Sequence, residues 1–69
     1  MTKFRLKMKY RLDLFDGTVL WSEDVSDLCY YLKSLGLITM SESYFIIKQF
    51  AYYGVKRCAG NEFIINKET

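Results

Sequence analysis

Residues 3–14, KFRLKMKYRLDL, alternate apolar and charged side chains without a break. The even positions are Phe4, Leu6, Met8, Tyr10, Leu12 and Leu14, and the odd positions are Lys3, Arg5, Lys7, Lys9, Arg11 and Asp13. Successive side chains of a β-strand point to opposite sides, whereas a helix would scatter both sets around its axis. The stretch therefore predicts one long strand, with an apolar face to be covered and a face carrying a row of five basic residues.

The next residues predict a hairpin with this strand. Asp-Gly between two alternating runs is a strong short-range hairpin signal, and Asp16-Gly17 is followed by the short run VLWS. A two-residue turn pairs Leu14 with Val19 and Leu12 with Trp21, which extends the apolar face across both strands and buries Trp21. The second strand reaches only residues 11–15, so residues 3–9 either pair with another strand or form an open edge of the sheet.

Two helices follow. Ser22 or Asp24 can cap the first, which ends at Gly36, and its apolar stripe is Val25, Leu28, Cys29, Leu32 and Leu35. A capping box at Thr39–Glu42 can begin the second, with Ser41 as the alternative cap, and the helix runs to about Tyr53 with Gly54 after it. Its main apolar stripe is Ile46, Ile47, Phe50 and Tyr53.

The tail from Val55 to Lys67 contains Gly60-Asn61 between apolar runs, which predicts a second hairpin or one irregular strand. The run Phe63, Ile64 and Ile65 is typical of a strand buried on both sides or in mid-sheet, and we assign it as the neighbour of residues 3–9. The order of elements predicts a single α+β domain over residues 1–69. Its antiparallel sheet combines the N-terminal hairpin with the C-terminal strand or hairpin and carries both helices on one face.

Composition limits the classes of function. The chain of 69 residues is 51% hydrophobic with net charge +2; residues 1–11 hold five basic groups and no acid, so residues 12–69 sum to −3. No apolar run approaches the ~18 residues of a membrane span, and no signal peptide is recognisable. We therefore expect a cytoplasmic protein with no membrane association. Cys29 and Cys58 are too few for a disulfide framework and are expected to be free, buried thiols.

The chain also lacks the residues of common catalytic sites. It contains no histidine, which excludes histidine-based triads and metal sites. Its two cysteines lie on different predicted elements, and its four glycines are spread singly over turns and caps without phosphate-binding spacing. We expect no enzymatic activity, no metal and no cofactor.

Two surfaces are candidates for binding. The basic row Lys3, Arg5, Lys7, Lys9 and Arg11 could neutralise the phosphates of a DNA or RNA backbone, or it could be a solvated sheet face. The second surface is the outer face of the second helix, where Phe45, Lys48, Gln49 and Tyr52 could contact a protein partner or a second copy of the chain. Tyr30 on the first helix adds a further aromatic ring. The alternative for the second surface is that its rings fold back over the core edge or are covered by the tail.

These patterns predict a small regulatory binding protein associated with nucleic acid through the basic sheet face. The alternative is a protein-binding inhibitor or adaptor, of the kind common among accessory proteins of mobile elements, acting through the aromatic helix face. The element order from Asp24 onward is also similar to that of a winged helix-turn-helix module. That likeness implies that Ser43, Tyr44 and Lys48 face a major groove.

Overall fold

The computed structural model describes residues 9–68 and confirms the α+β architecture. Its elements, in chain order, are β1 (Tyr10–Leu14), β2 (Val19–Ser22), α1 (Val25–Ser34), α2 (Met40–Ala51), β3 (Arg57–Ala59) and β4 (Phe63–Lys67). The strands form one sheet in the order β2-β1-β4-β3, with every neighbouring pair antiparallel. Residues 3–8 of the predicted first strand lie outside the described residues; of the remaining six, Tyr10–Leu14 form β1 and Lys9 precedes it.

The core lies between the helices and one face of this sheet. Leu12 and Ile65 from adjacent strands are fully inaccessible, as are Cys29 and Leu32 from α1. The helices supply most of the rest of the core, namely Val25, Leu28, Ile46 and Phe50. The stripes predicted from helical spacing are thus buried, except that Ile47 is half-buried and that two residues at helix ends, described below, are exposed.

The predicted register of the first hairpin is wrong by one residue. Leu12 pairs with Leu20 rather than with Trp21. The Leu14 N–H donates to the Thr18 carbonyl at 2.8 Å and the Gly17 N–H donates to the Leu14 carbonyl at 3.0 Å, so three residues rather than two form the loop. Gly17 has φ +99°, as expected for the left-handed residue that ends a three-residue hairpin loop.

This change of register moves every side chain of β2 to the other side of the sheet. Leu20 and Ser22 face the helices, while Val19 and Trp21 lie on the uncovered face. Trp21 is 40% exposed, so the predicted burial of Trp21 is wrong. Ser22 then takes part in starting α1, because its Oγ accepts from the Asp24 N–H and donates to Asp27 Oδ2, each at 3.1 Å.

The assignment of β4 as the neighbour of residues 3–9 is also wrong. β4 pairs with all five residues of β1, on the side of β1 opposite to β2, with Leu12 facing Ile65 and Leu14 facing Phe63. Lys9 precedes β1, and its carbonyl oxygen accepts from the Glu68 N–H at 2.6 Å. The tail is a hairpin, and β4 is an interior strand between β1 and β3. That position explains its unbroken apolar run.

The caps of α1 show why its apolar stripe stops early. Asp24 is the N-cap, accepting from the Ser26 N–H. At the other end Gly36 has φ +78°, and the Leu37 N–H donates to the Leu32 carbonyl at 3.0 Å, which is a Schellman motif. The predicted stripe residue Leu35 is the C-cap and is 48% exposed, because the helix has ended before it.

The predicted capping box of α2 is present. Thr39 Oγ1 accepts from the Glu42 N–H at 3.2 Å, and Glu42 Oε1 accepts from the Thr39 N–H at 2.7 Å. The helix ends at Ala51, before the predicted Tyr53. Tyr53 is consequently exposed instead of lying on the buried stripe.

The register can be tested by comparing one residue from each face of the sheet. Leu12→Ala should lower the free energy of unfolding by about 2 to 5 kcal/mol, because it opens a cavity in the centre of the core. Trp21→Thr should lower it by less than about 1.5 kcal/mol, since it removes cross-strand contacts on an open face. Urea unfolding followed by circular dichroism measures both, and equal losses would contradict the observed register.

Candidate binding surfaces

The outer face of α2 carries several large side chains that the fold leaves uncovered. Met40, Tyr44, Phe45 and Tyr52 are 52%, 67%, 59% and 75% exposed. At 100° per residue they fall within an arc of about 140° that also contains Lys48. We call these five residues the helix patch. The Lys48 Nζ lies 5.8 Å from the centre of the Tyr52 ring, within the range of a cation–π contact.

The helix patch overlaps the predicted partner-binding set. Phe45, Lys48 and Tyr52 point outward as the helical spacing predicts, whereas Gln49 is half-buried at the edge of the patch. Sequence reasoning missed Met40 and considered Tyr44 only for a DNA groove. Both could have been found, since residues 40, 44 and 48 are spaced by four and share one helix face. The binding role of the set stays a prediction.

Tyr30, the other member of the predicted set, lies on α1. Its ring is 71% exposed, and the Lys33 Nζ lies 6.0 Å from the ring centre. Of the three residues that the winged-helix likeness assigned to a groove, Tyr44 and Lys48 are exposed. Ser43 is half-buried, so it does not face outward with them.

The uncovered face of the sheet carries a second surface. Arg57, Asn66, Arg11 and Trp21 are successive cross-strand partners on the four strands, and they form one line across the sheet. We call this line the sheet row. Arg11 Nε donates to Asp13 Oδ2 at 2.9 Å, and its guanidinium carbon lies 5.8 Å from the centre of the Trp21 ring.

The structure describes only part of the predicted basic row. Lys3, Arg5 and Lys7 lie outside the described residues, so their placement is not tested. Lys9 is exposed and Arg11 is half-buried and ion-paired with Asp13. With those three residues left aside, the described part of the chain holds seven basic and eight acidic groups, a net charge of −1. The described surface is therefore not strongly basic.

A groove of about 330 Å³ opens beside the helix patch, between α2, the connection that precedes it and the β3–β4 hairpin. Its apolar lining comes from Leu37, Ile38, Phe45, Ile46, Cys58 and Phe63. Glu42 and Glu62, both exposed, also line it. Gly60 allows the Phe63 ring to lie close to the hairpin backbone, because a Cβ at position 60 would come within 2.4 Å of that ring.

Both cysteines are free, as the sequence predicts. Cys29 is buried and Cys58 is half-buried at the groove. Burial is the main cause that raises the pKa of both thiols. For Cys29, a hydrogen bond with the Ser43 side chain lowers the pKa in part, and the nearby Cys58 raises it further. A raised pKa disfavours the reactive thiolate, so neither thiol has the environment of an activated nucleophile.

Within residues 9–68, no three cysteine, aspartate or glutamate side chains come together in a way that could hold a metal ion. Neither helix of the described part is long and apolar enough to cross a bilayer. No protein-family model matches the chain, and neither a curated protein nor a solved structure is significantly similar to it.

Proposed function

We propose that the protein is a small non-enzymatic binding protein that contacts another protein through the helix patch, as an inhibitor or adaptor does. One observation carries this proposal: three large apolar or aromatic side chains on one face of α2, together with that of the C-cap residue Tyr52, are more than half exposed. Water contact with so much apolar surface is unfavourable, and burying it against a partner would recover that free energy.

The composition of the helix patch also suits a protein interface. Interface centres are rich in tyrosine, phenylalanine and methionine and poor in charge, and the patch has one charged residue, Lys48, among four such side chains. The helix of 12 residues is about 18 Å long, enough for its outer face to lie in a groove of a partner. The surface needs no rearrangement to be accessible, because its side chains are already exposed.

A second candidate function is association with nucleic acid through the uncovered sheet face. The sheet row favours it, since two arginines and a tryptophan could contact phosphates and stack on bases. The basic residues at positions 3, 5 and 7 would strengthen this surface if they continue the alternation of Lys9 and Arg11. We rank it second because Asp13 already neutralises Arg11 and the described residues sum to −1.

Partner capture with matched variants tests the first proposal. The protein is immobilised and exposed to nuclease-treated lysate of the source cells. A partner retained by the wild type should be lost on Phe45→Ala and on Tyr52→Ala, each lowering affinity by about 1 to 3 kcal/mol, with little dependence on salt. Trp21→Thr is the matched control, since it removes an exposed aromatic ring from the opposite side of the sheet.

Retention of the same partner by the variant with both Phe45→Ala and Tyr52→Ala would refute the role of the helix patch. Sedimentation of the wild type and of this double variant shows whether the partner is a second copy of the chain. If the partner is a second copy of the chain, the wild type sediments as a dimer and the double variant as a monomer.

The second candidate makes a different prediction. Retardation of DNA or RNA should appear at about 50 mM salt and weaken steeply as salt rises, with a log–log slope near −0.9 for each phosphate contacted on duplex DNA. Lys7→Glu combined with Lys9→Glu should abolish the retardation, whereas Phe45→Ala should leave it unchanged. Absence of retardation at high protein concentration would exclude this candidate.

A further inference from the structure

The groove beside α2 is contiguous with the helix patch. Phe45 belongs to both, because its exposed ring forms one wall of the groove. The opposite wall is the end of the β3–β4 hairpin, where Gly60 lets the Phe63 ring pack closely under the chain. A protein that covers the helix patch would therefore also pass over the mouth of the groove.

The size of the groove limits what can enter it. Ligand pockets usually measure about 300 to 1,000 Å³, and an apolar cavity of about 150 Å³ is sufficient for a benzene ring. A groove of about 330 Å³ can therefore accept one large apolar side chain together with part of the backbone that carries it. It is too small for several large side chains at once.

The lining defines the chemistry of that occupant. The walls combine apolar side chains with polar surface, and an aromatic or long aliphatic side chain can pack against the apolar part. Glu42 and Glu62 place two carboxylates at the same groove, and both are exposed to solvent. Neither lies in an ion pair of the described residues, whose one salt bridge joins Arg11 and Asp13. Basic groups next to the apolar side chain would complement this charge.

We propose that the groove is a specificity pocket that takes a phenylalanine or a similarly large apolar side chain of the partner, flanked by lysine or arginine. The inference rests on the proposed function, because it names the partner segment recognised beside the helix patch. The apolar side chain supplies most of the affinity, and the two carboxylates select for the basic neighbours.

Short capped peptides test the pocket directly. Acetyl-Lys-Phe-Lys-amide is titrated into the ¹⁵N-labelled protein, and the amide signals of Cys58, Ala59 and Asn61 are followed. Saturable shifts are expected at millimolar peptide. Acetyl-Lys-Ala-Lys-amide should bind at least about tenfold more weakly, because it lacks the ring that fills the groove. Acetyl-Glu-Phe-Glu-amide should also be weaker than the basic peptide.

A variant separates the contribution of charge from that of shape. Glu62→Gln should weaken binding of the basic phenylalanine peptide by about twofold to fivefold and leave acetyl-Ala-Phe-Ala-amide unaffected. Glu62 is preferred to Glu42 because Glu42 also closes the capping box of α2. Labelling of the half-buried Cys58 by a maleimide should slow in the presence of the peptide, which gives a second readout at the groove.

Equal shifts of the amide signals with all the peptides would contradict the proposed pocket. Shifts confined to residues of the sheet row would also contradict it. If the peptides fail but partner capture still requires Phe45 and Tyr52, the proposed function stands and the pocket is rejected. If the basic phenylalanine peptide binds at the groove but no captured protein depends on the helix patch, the pocket stands and the proposed function is rejected.

Discussion

The arrangement of the whole domain depends on the position of Leu12 in the middle of the sheet. Leu12 faces Leu20 on one side and Ile65 on the other, and it is completely inaccessible to solvent. The three-residue loop ending at Gly17 holds this register, because its hydrogen bonds join Leu14 to both Thr18 and Gly17. A shift of one residue would exchange the faces of β2 and expose Leu20 in place of Trp21.

A domain this small cannot bury all of its apolar residues. Among the described residues, eleven apolar side chains are buried, seven partly buried ones pack against them, and ten large ones are exposed. Four of the exposed ten belong to the helix patch. Their grouping on one helix face favours a partner over random surface exposure, since scattered single hydrophobic residues are normal on soluble proteins but contiguous patches are not.

Local features of this fold could be predicted from the sequence, because they depend on residues close together in the chain. The Thr39–Glu42 capping box and the outward direction of Phe45 and Tyr52 follow from helical geometry alone. The first hairpin could not be settled in this way, since Asp16-Gly17 is compatible with both a two-residue and a three-residue loop. The partial burial of Leu20 against the core and the bonds of Ser22 to α1 favour the longer loop, and both depend on tertiary contacts.

The pairing of β4 with β1 was missed for a related reason. The sequence pattern pointed to residues 3–9 as the neighbour, but β4 pairs with Tyr10–Leu14, where its Phe63 and Ile65 meet the apolar side of β1 under the helices. Burial of these two side chains depends on tertiary packing, which the alternation of residues 3–14 does not reveal. The groove beside α2 arises only from packing of the second hairpin against the helix, so no pattern in the sequence indicates it.

Cross-strand proton contacts test the register most directly. The bond from the Leu14 N–H to the Thr18 carbonyl makes Arg11 and Trp21 a non-hydrogen-bonded pair, in which the two Cα atoms lie about 4.5 Å apart. Nuclear Overhauser spectra should therefore show a strong contact between the Hα protons of Arg11 and Trp21, and another between those of Asp13 and Val19. Strong Hα contacts of Trp21 with Leu12, or of Val19 with Leu14, would contradict the register and the two faces that depend on it.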